Sequence, residues 1–131
     1  MFHHEIDPRF NETDAMGHIS NTAFPVWFEH ARTPIFRIFN PTLEMKGWPL
    51  IVARLEIDLK AQSYWAIPVN IRTFIGRIGN SSFDIIQQAF QDSTEVARGV
   101  AVLIHFDYET ETSRAIPDAI REKLLEHSGE A

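Results

Sequence analysis

RFNETDAMGHISNTAFPVWFEHAR, Arg9 to Arg32, carries an extended polar segment straight into an amphipathic helix, and this junction decides the fold. Downstream of it Phe24, Trp27, Phe28, Ala31, Ile35 and Ile38 recur at helical spacing, with Glu29, His30, Arg32 and Arg37 on the opposite side. Ser20, Asn21 and Thr22 are candidate N-caps for a helix that begins near Asn21. Pro25 suits a first turn, where the amide donors lack intrahelical partners anyway. Pro34 removes a donor inside the apolar stripe, so the helix is expected to kink or break there before Asn40-Pro41 ends it.

Everything around this helix reads as strand. Phe2–Ile6, continued by Arg9-Phe10, is a short first strand that Pro8 interrupts or confines to an edge. From Ile51 to Lys60 apolar and polar residues alternate strictly, with Ile51, Ala53, Leu55, Ile57 and Leu59 on one face. A third strand runs from Ile67 to Ile75 and a fourth from Ser82 to Phe90. The turn-rich segment Gly76–Asn80 separates them, and Gln91–Thr94 makes a hairpin connection to a fifth strand. That fifth strand, Val96–Phe106, is apolar on both faces, as in a central strand covered on both sides. A charged tail helix is expected from Asp118 to His127, docking through Ile120, Leu124 and Leu125.

One helix of about four turns cannot bury its stripe alone, and a five-stranded antiparallel sheet offers it a face. The architecture expected is therefore α+β, a sheet curled around one long helix in a single domain spanning 1–131. The leftover apolar surface predicts self-association through a sheet face or a strand edge.

Composition narrows the function classes. The chain has 131 residues, ten Phe, three Trp and no cysteine, which excludes disulfides, thiolate metal sites and cysteine nucleophiles. The net charge of −6 argues against a nucleic-acid partner, which needs clustered Lys and Arg. The first residues resemble no signal peptide and no apolar run reaches membrane-spanning length, so a soluble cytoplasmic protein is expected. The six histidines form no HExxH and no i, i+4 pair, so no metal is expected.

Asp14 stands out because it lies too far upstream to cap a helix that Ser20, Asn21 and Thr22 can cap. The unpaired amides near Asn21 to Phe24 carry partial positive charge and would polarise a carbonyl oxygen laid against them. A carboxylate beside such a carbonyl can attack it or activate a water, so the chemistry indicated is acyl transfer to water. His18 would orient or relay protons, or merely fix the loop. Asn21 would donate to the acyl group, or serve as a cap. Gly17 fits a positive φ or a close backbone approach. Glu29 reads as the ion-pair partner of Arg32 three residues on. For a phosphorylated handle the candidates are Arg77, Asn80, Ser81 and Ser82, against the plain reading of a hairpin turn.

The residues Asp14, Gly17, His18, Asn21, Phe28, Glu29, Ala31 and Arg32 resemble the signature of the hotdog-fold acyl-CoA thioesterases, in their 4-hydroxybenzoyl-CoA thioesterase-like branch. The resemblance extends through IVARLEIDLKA, the Arg77–Ser82 turn and RAIPDAI. It implies a hotdog fold, a homodimer or homotetramer with sites at the subunit interface, and hydrolysis of an acyl-CoA without a cofactor. It makes Asp14 the catalytic carboxylate and the amides around Asn21 and Thr22 the oxyanion site, with the nucleotide running toward Arg77–Ser82. The chain departs from the pattern at Leu59 and at Ala61-Gln62-Ser63-Tyr64-Trp65-Ala66, where bulky Tyr64 and Trp65 bear on the acyl pocket or the interface. A hotdog dehydratase and a non-catalytic acyl-CoA binding protein are the competing readings of the same fold.

Overall fold

The structure, a computed structural model, describes residues 1–129. Strand β1 (Phe2–Ile6) leads through a 3-10 turn (Phe10–Glu12) to helices α1 (Ala23–Ala31) and α2 (Thr33–Phe39). Strands β2 (Leu50–Leu59), β3 (Val69–Ile78), β4 (Ser82–Gln91), β5 (Thr94–Asp107) and β6 (Thr112–Ser113) follow, then helix α3 (Asp118–Leu125). The strands form one antiparallel sheet in the order β1-β3-β4-β5-β2, with the two-residue β6 appended to β5. The sheet wraps α1 and α2, which is the hotdog architecture.

The helix breaks where the proline chemistry requires. α1 stops at Ala31, Arg32 bridges, and Pro34 lies in the first turn of α2, where its missing N–H costs nothing. Phe24, Trp27, Phe28 and Ala31 pack with Val69, Ile71, Ala89, Val96 and Ala97 at one end of the sheet. Ile35 meets Leu50, Ile75, Phe83, Ile85, Leu103 and Leu124 at the other. The helix lies close against β5 at Gly99, where a Cβ would stand 3.0 Å from the Phe28 ring.

Several expectations need correction. Arg9-Phe10 does not extend β1; Arg9 instead opens the 3-10 turn, because Glu12 folds back to accept the Arg9 N–H at 2.7 Å. The strict alternation of β2 is broken by a register shift between Val52 and Arg54. Leu50 and Val52 thus pair with His105 and Leu103, on the helix-facing side that Leu55, Ile57 and Leu59 share opposite Ala101, Gly99 and Ala97. The helix does not cover this strand, so Val52, Leu55 and Leu59 remain exposed. In the tail helix Leu124 is fully buried while Leu125 faces outward. Among the described residues no helix is long and apolar enough to cross a membrane.

Candidate active site

Asp14 sits at the head of a tight hairpin whose arms pair at Thr13 and Ile19. Its Oδ1 accepts the N–H groups of Met16 at 2.8 Å and His18 at 3.0 Å, and its own N–H donates to the His18 carbonyl at 2.8 Å. The side chain is therefore not free of structural work: one oxygen closes the turn. No protein donor reaches Oδ2 among the described residues, and the residue is exposed. Gly17 adopts φ +78° with nothing within 4 Å of where a Cβ would stand, so it is needed for its left-handed backbone and not for close approach.

The hairpin is mounted from two sides. On the helix side, Glu12 Oε2 accepts the indole N–H of Trp27 at 2.6 Å while its carbonyl accepts the Ser20 N–H at 2.7 Å. On the sheet side, Ile19 N–H donates to the Ser63 carbonyl at 3.0 Å, and His18 bridges to Tyr64, their rings edge to face at 5.4 Å. The His18 backbone and the edge of its ring thus both hold the hairpin to this segment.

The chain then turns into α1, and of the three candidate caps only Ser20 engages an amide there. The N-cap position, Thr22, lies in helical φ/ψ and makes no side-chain cap bond. The Ser20 hydroxyl instead contacts the Thr22 hydroxyl at 2.9 Å and takes the Thr22 N–H at 3.4 Å. Asn21 is exposed, and neither its N–H nor its side chain bonds to another described residue. A groove of about 440 Å³ opens beside it, lined by Ile19, Asn21, Phe24, Leu59, Lys60 and Ser63. A hydrogen-bond acceptor placed in that groove would meet a free amide at the positive end of a helix.

The structure does not bring the second candidate group to this place. Arg77 donates to Ser82 Oγ at 3.0 Å and to Asp84 at 3.2 Å. Asn80 and Ser81 give their carbonyls to Ile116 and His105, both at 2.8 Å. This turn opens β4, whereas the Asp14 hairpin is held against the segment that Gln91, the last residue of β4, binds. The turn and Gln91 thus stand at opposite ends of a ten-residue strand, about 30 Å of extended chain.

The expected Glu29–Arg32 ion pair is absent among the described residues. Arg32 turns inward instead, 3% exposed, and donates to Gln87 Oε1 at 3.3 Å, leaving its Nε without an acceptor. Burial pushes its pKa down, and the negative charge of Glu29 opposes that only in part. No group of three or more His, Asp or Glu side chains gathers as a metal would require, among the described residues. Sequence reasoning missed Glu12 and Gln91. The Arg9-to-Glu12 spacing of a capping box was available for the first.

Residues 8–124 match the model of the thioesterase-like superfamily. A predicted thioesterase from Bacillus stearothermophilus is 42% identical, with 99% of this chain and 98% of that one covered and a TM-score of 0.96. A thioesterase from Thermus thermophilus, solved with coenzyme A and zinc, is 26% identical over 98% of this chain and 95% of its own, with a TM-score of 0.84. The uncharacterized Bacillus subtilis (strain 168) protein YsmA is 26% identical over 127 residues, 95% of this chain and 85% of its own.

Proposed function

The chain belongs to the thioesterase-like superfamily and is a thioester hydrolase, and from that premise we propose that its substrate is an acyl-coenzyme A opened by Asp14. One observation carries the reading: an exposed carboxylate with one uncommitted oxygen precedes a helix N-terminus where the Asn21 N–H has no partner among the described residues. A thioester carbonyl laid against the Asn21 N–H would be polarised by that donor and by the positive end of α1. In hydrolases, loss of one such donor lowers the rate by about 10²–10³-fold.

Two routes fit this arrangement. Asp14 attacks the carbonyl carbon, expelling coenzyme A thiolate and leaving an acyl–Asp14 anhydride that water cleaves. Alternatively it takes a proton from a water that attacks in its place. Both end in free acid and thiol; in labelled water, label in the Asp14 carboxylate identifies the first route with the anhydride opened at the Asp14 carbonyl, which the second route never produces.

The coenzyme A handle is read as spanning two copies of the chain. β2 is an edge strand of ten residues whose helix-facing Val52, Leu55 and Leu59 lie uncovered, a surface that invites a second copy. Antiparallel pairing of two β2 edges about a twofold axis would set the Leu50 end of one strand beside the Leu59 end of the other. The Leu50 end lies with Ser82 and the Leu59 end with Ala89, through their shared partners on β5. Such a dimer therefore carries the Arg77–Ser82 turn of one copy toward the Asp14 end of the other.

The test is thiol release over a panel of acyl-coenzyme A esters, with Asp14→Asn as comparison. Asn keeps the Oδ1 acceptor, so the turn stays closed while turnover falls by orders of magnitude. Wild-type turnover by Asp14→Asn would remove Asp14 from the chemistry. Release from none of the esters would remove the substrate class.

A further inference from the structure

We infer that Gln91 is a positioning residue for the Asp14 turn, acting across the sheet through the Ser63–Ile67 segment; the inference rests on the reading of Asp14 given above. Gln91 closes β4 with its side chain 5% exposed, on the same inward parity as Phe83, Ile85 and Ala89. Its carboxamide does what a neighbouring strand would do. Oε1 accepts the Tyr64 N–H at 2.8 Å, and Nε2 donates to the Tyr64 carbonyl at 2.7 Å and the Ile67 carbonyl at 2.9 Å. All its donors and its acceptor are thereby used on one irregular stretch of chain that has no ladder of its own.

That stretch is the wall against which the hairpin is set. Ser63 accepts the Ile19 N–H, Tyr64 bridges to His18, and the His18 N–H is one of the two that hold Asp14 Oδ1. The path from Gln91 to the carboxylate thus runs through hydrogen bonds to Tyr64, the Ser63–Ile19 hydrogen bond with the Tyr64–His18 bridge and ring contact beside it, and the His18 N–H on Asp14 Oδ1. Without the carboxamide, three main-chain groups of Tyr64 and Ile67 lose their partners in a half-buried setting. The segment would have to move toward water to recover them. His18 and Asp14 would move with it, and a misplacement near 1 Å at a reacting group costs about 10²-fold in rate.

The same strand supplies the control. Gln87 is also buried, 1% exposed, and its carboxamide also makes three bonds, to Phe28, Thr73 and Arg32. These bonds tie the C-terminal half of α1 to the sheet and never touch the hairpin. Gln87→Met and Gln91→Met therefore each remove three carboxamide hydrogen bonds from different places, fully buried ones at Gln87, where Arg32 also loses its acceptor, and half-buried ones at Gln91.

Steady-state kinetics on an accepted acyl-coenzyme A, thermal midpoints and amide hydrogen exchange are measured for both. Gln91→Met is expected to lower kcat by about 10–100-fold with KM changed less than about threefold. It should also speed exchange at His18 and Ile19. Gln87→Met should lose at least as much thermal stability, since it strands the buried Arg32, and yet keep both kcat and the exchange of those amides. If Gln91→Met does not fold, Gln91→Asn, with the same amide on a shorter arm, carries the comparison. Equal kcat losses in the two variants, or unchanged exchange in the Gln91 variant, would overturn the inference. If the wild type releases thiol from no ester, the substrate reading falls, and the exchange comparison still decides whether Gln91 holds the turn.

Discussion

Asp14 and His18 hold each other by backbone and side chain at once: the Asp14 N–H donates to the His18 carbonyl at 2.8 Å, and Asp14 Oδ1 accepts the His18 N–H at 3.0 Å. The carboxylate read as the reacting group is therefore also the latch of its own loop. Chemistry and loop geometry cannot be varied independently by deleting the side chain, and this governs which substitutions are informative.

Gly17 lies inside that latch at φ +78° with open space around it. Gly17→Ala should cost about 1–2 kcal/mol through left-handed strain alone. Gly17→Asn, which tolerates that region, should cost less. Denaturant titration checks the order, and kcat should follow it. An alanine variant as stable as wild type would show that the turn relaxes to another conformation.

Phe28 packs on Gly99 with no room between them, since a Cβ there would stand 3.0 Å from two ring carbons. Gly99→Val should destabilise by about 1–3 kcal/mol through overpacking. Pairing it with Phe28→Leu should recover part of the loss, and a double-mutant cycle on thermal midpoints measures the coupling.

Arg32 buries a cation with no carboxylate within reach among the described residues. Its pKa is lowered in the fold, so folding disfavours the charged form. This cost is present in full below the folded pKa and is relieved as pH climbs from that value toward the ordinary one. Arg32→Met relieves that charge but leaves Gln87 Oε1 without its donor, at a cost of about 1–3 kcal/mol. Arg32→Met with Gln87→Leu removes both groups and should be at least as stable as either single variant by thermal midpoint. A double variant less stable than Arg32→Met alone would show that Gln87 keeps its partners without the arginine.

Leu55 is 51% exposed at the middle of the uncovered face of β2. Leu55→Lys should shift the sedimenting species toward the monomer, and activity per chain should fall with it. An unchanged assembly would place the interface elsewhere on the molecule.

The helix–sheet arrangement was legible because periodicity reports burial directly: Phe24, Trp27, Phe28 and Ala31 are helical in spacing and all buried. The break at Pro34 was legible for the same local reason. The face assignment of Ile51 and Val52 was not, because a one-residue bulge reverses parity without leaving a mark in composition. In the candidate site, the Asp14–Gly17–His18 turn was readable from residue type. Its mounting was not, since Gln91 and Tyr64 are 27 residues apart and only the folded sheet brings them together. One signal existed: Gln87 and Gln91 stand on the apolar parity of β4, where a buried amide must find partners.

The placing of the Arg77–Ser82 turn and of Gln91, which binds the segment behind the Asp14 hairpin, at opposite ends of β4 has a genetic corollary. If each working site draws the two from different copies, a chain carrying Asp14→Asn and a chain carrying Arg77→Ala are each defective as homodimers. Mixed, unfolded and refolded together, they would form hybrids in which one of the two sites is assembled entirely from undamaged halves. Two inactive preparations would then complement each other in a test tube, toward about a quarter of the wild-type rate for random pairing and equal stability.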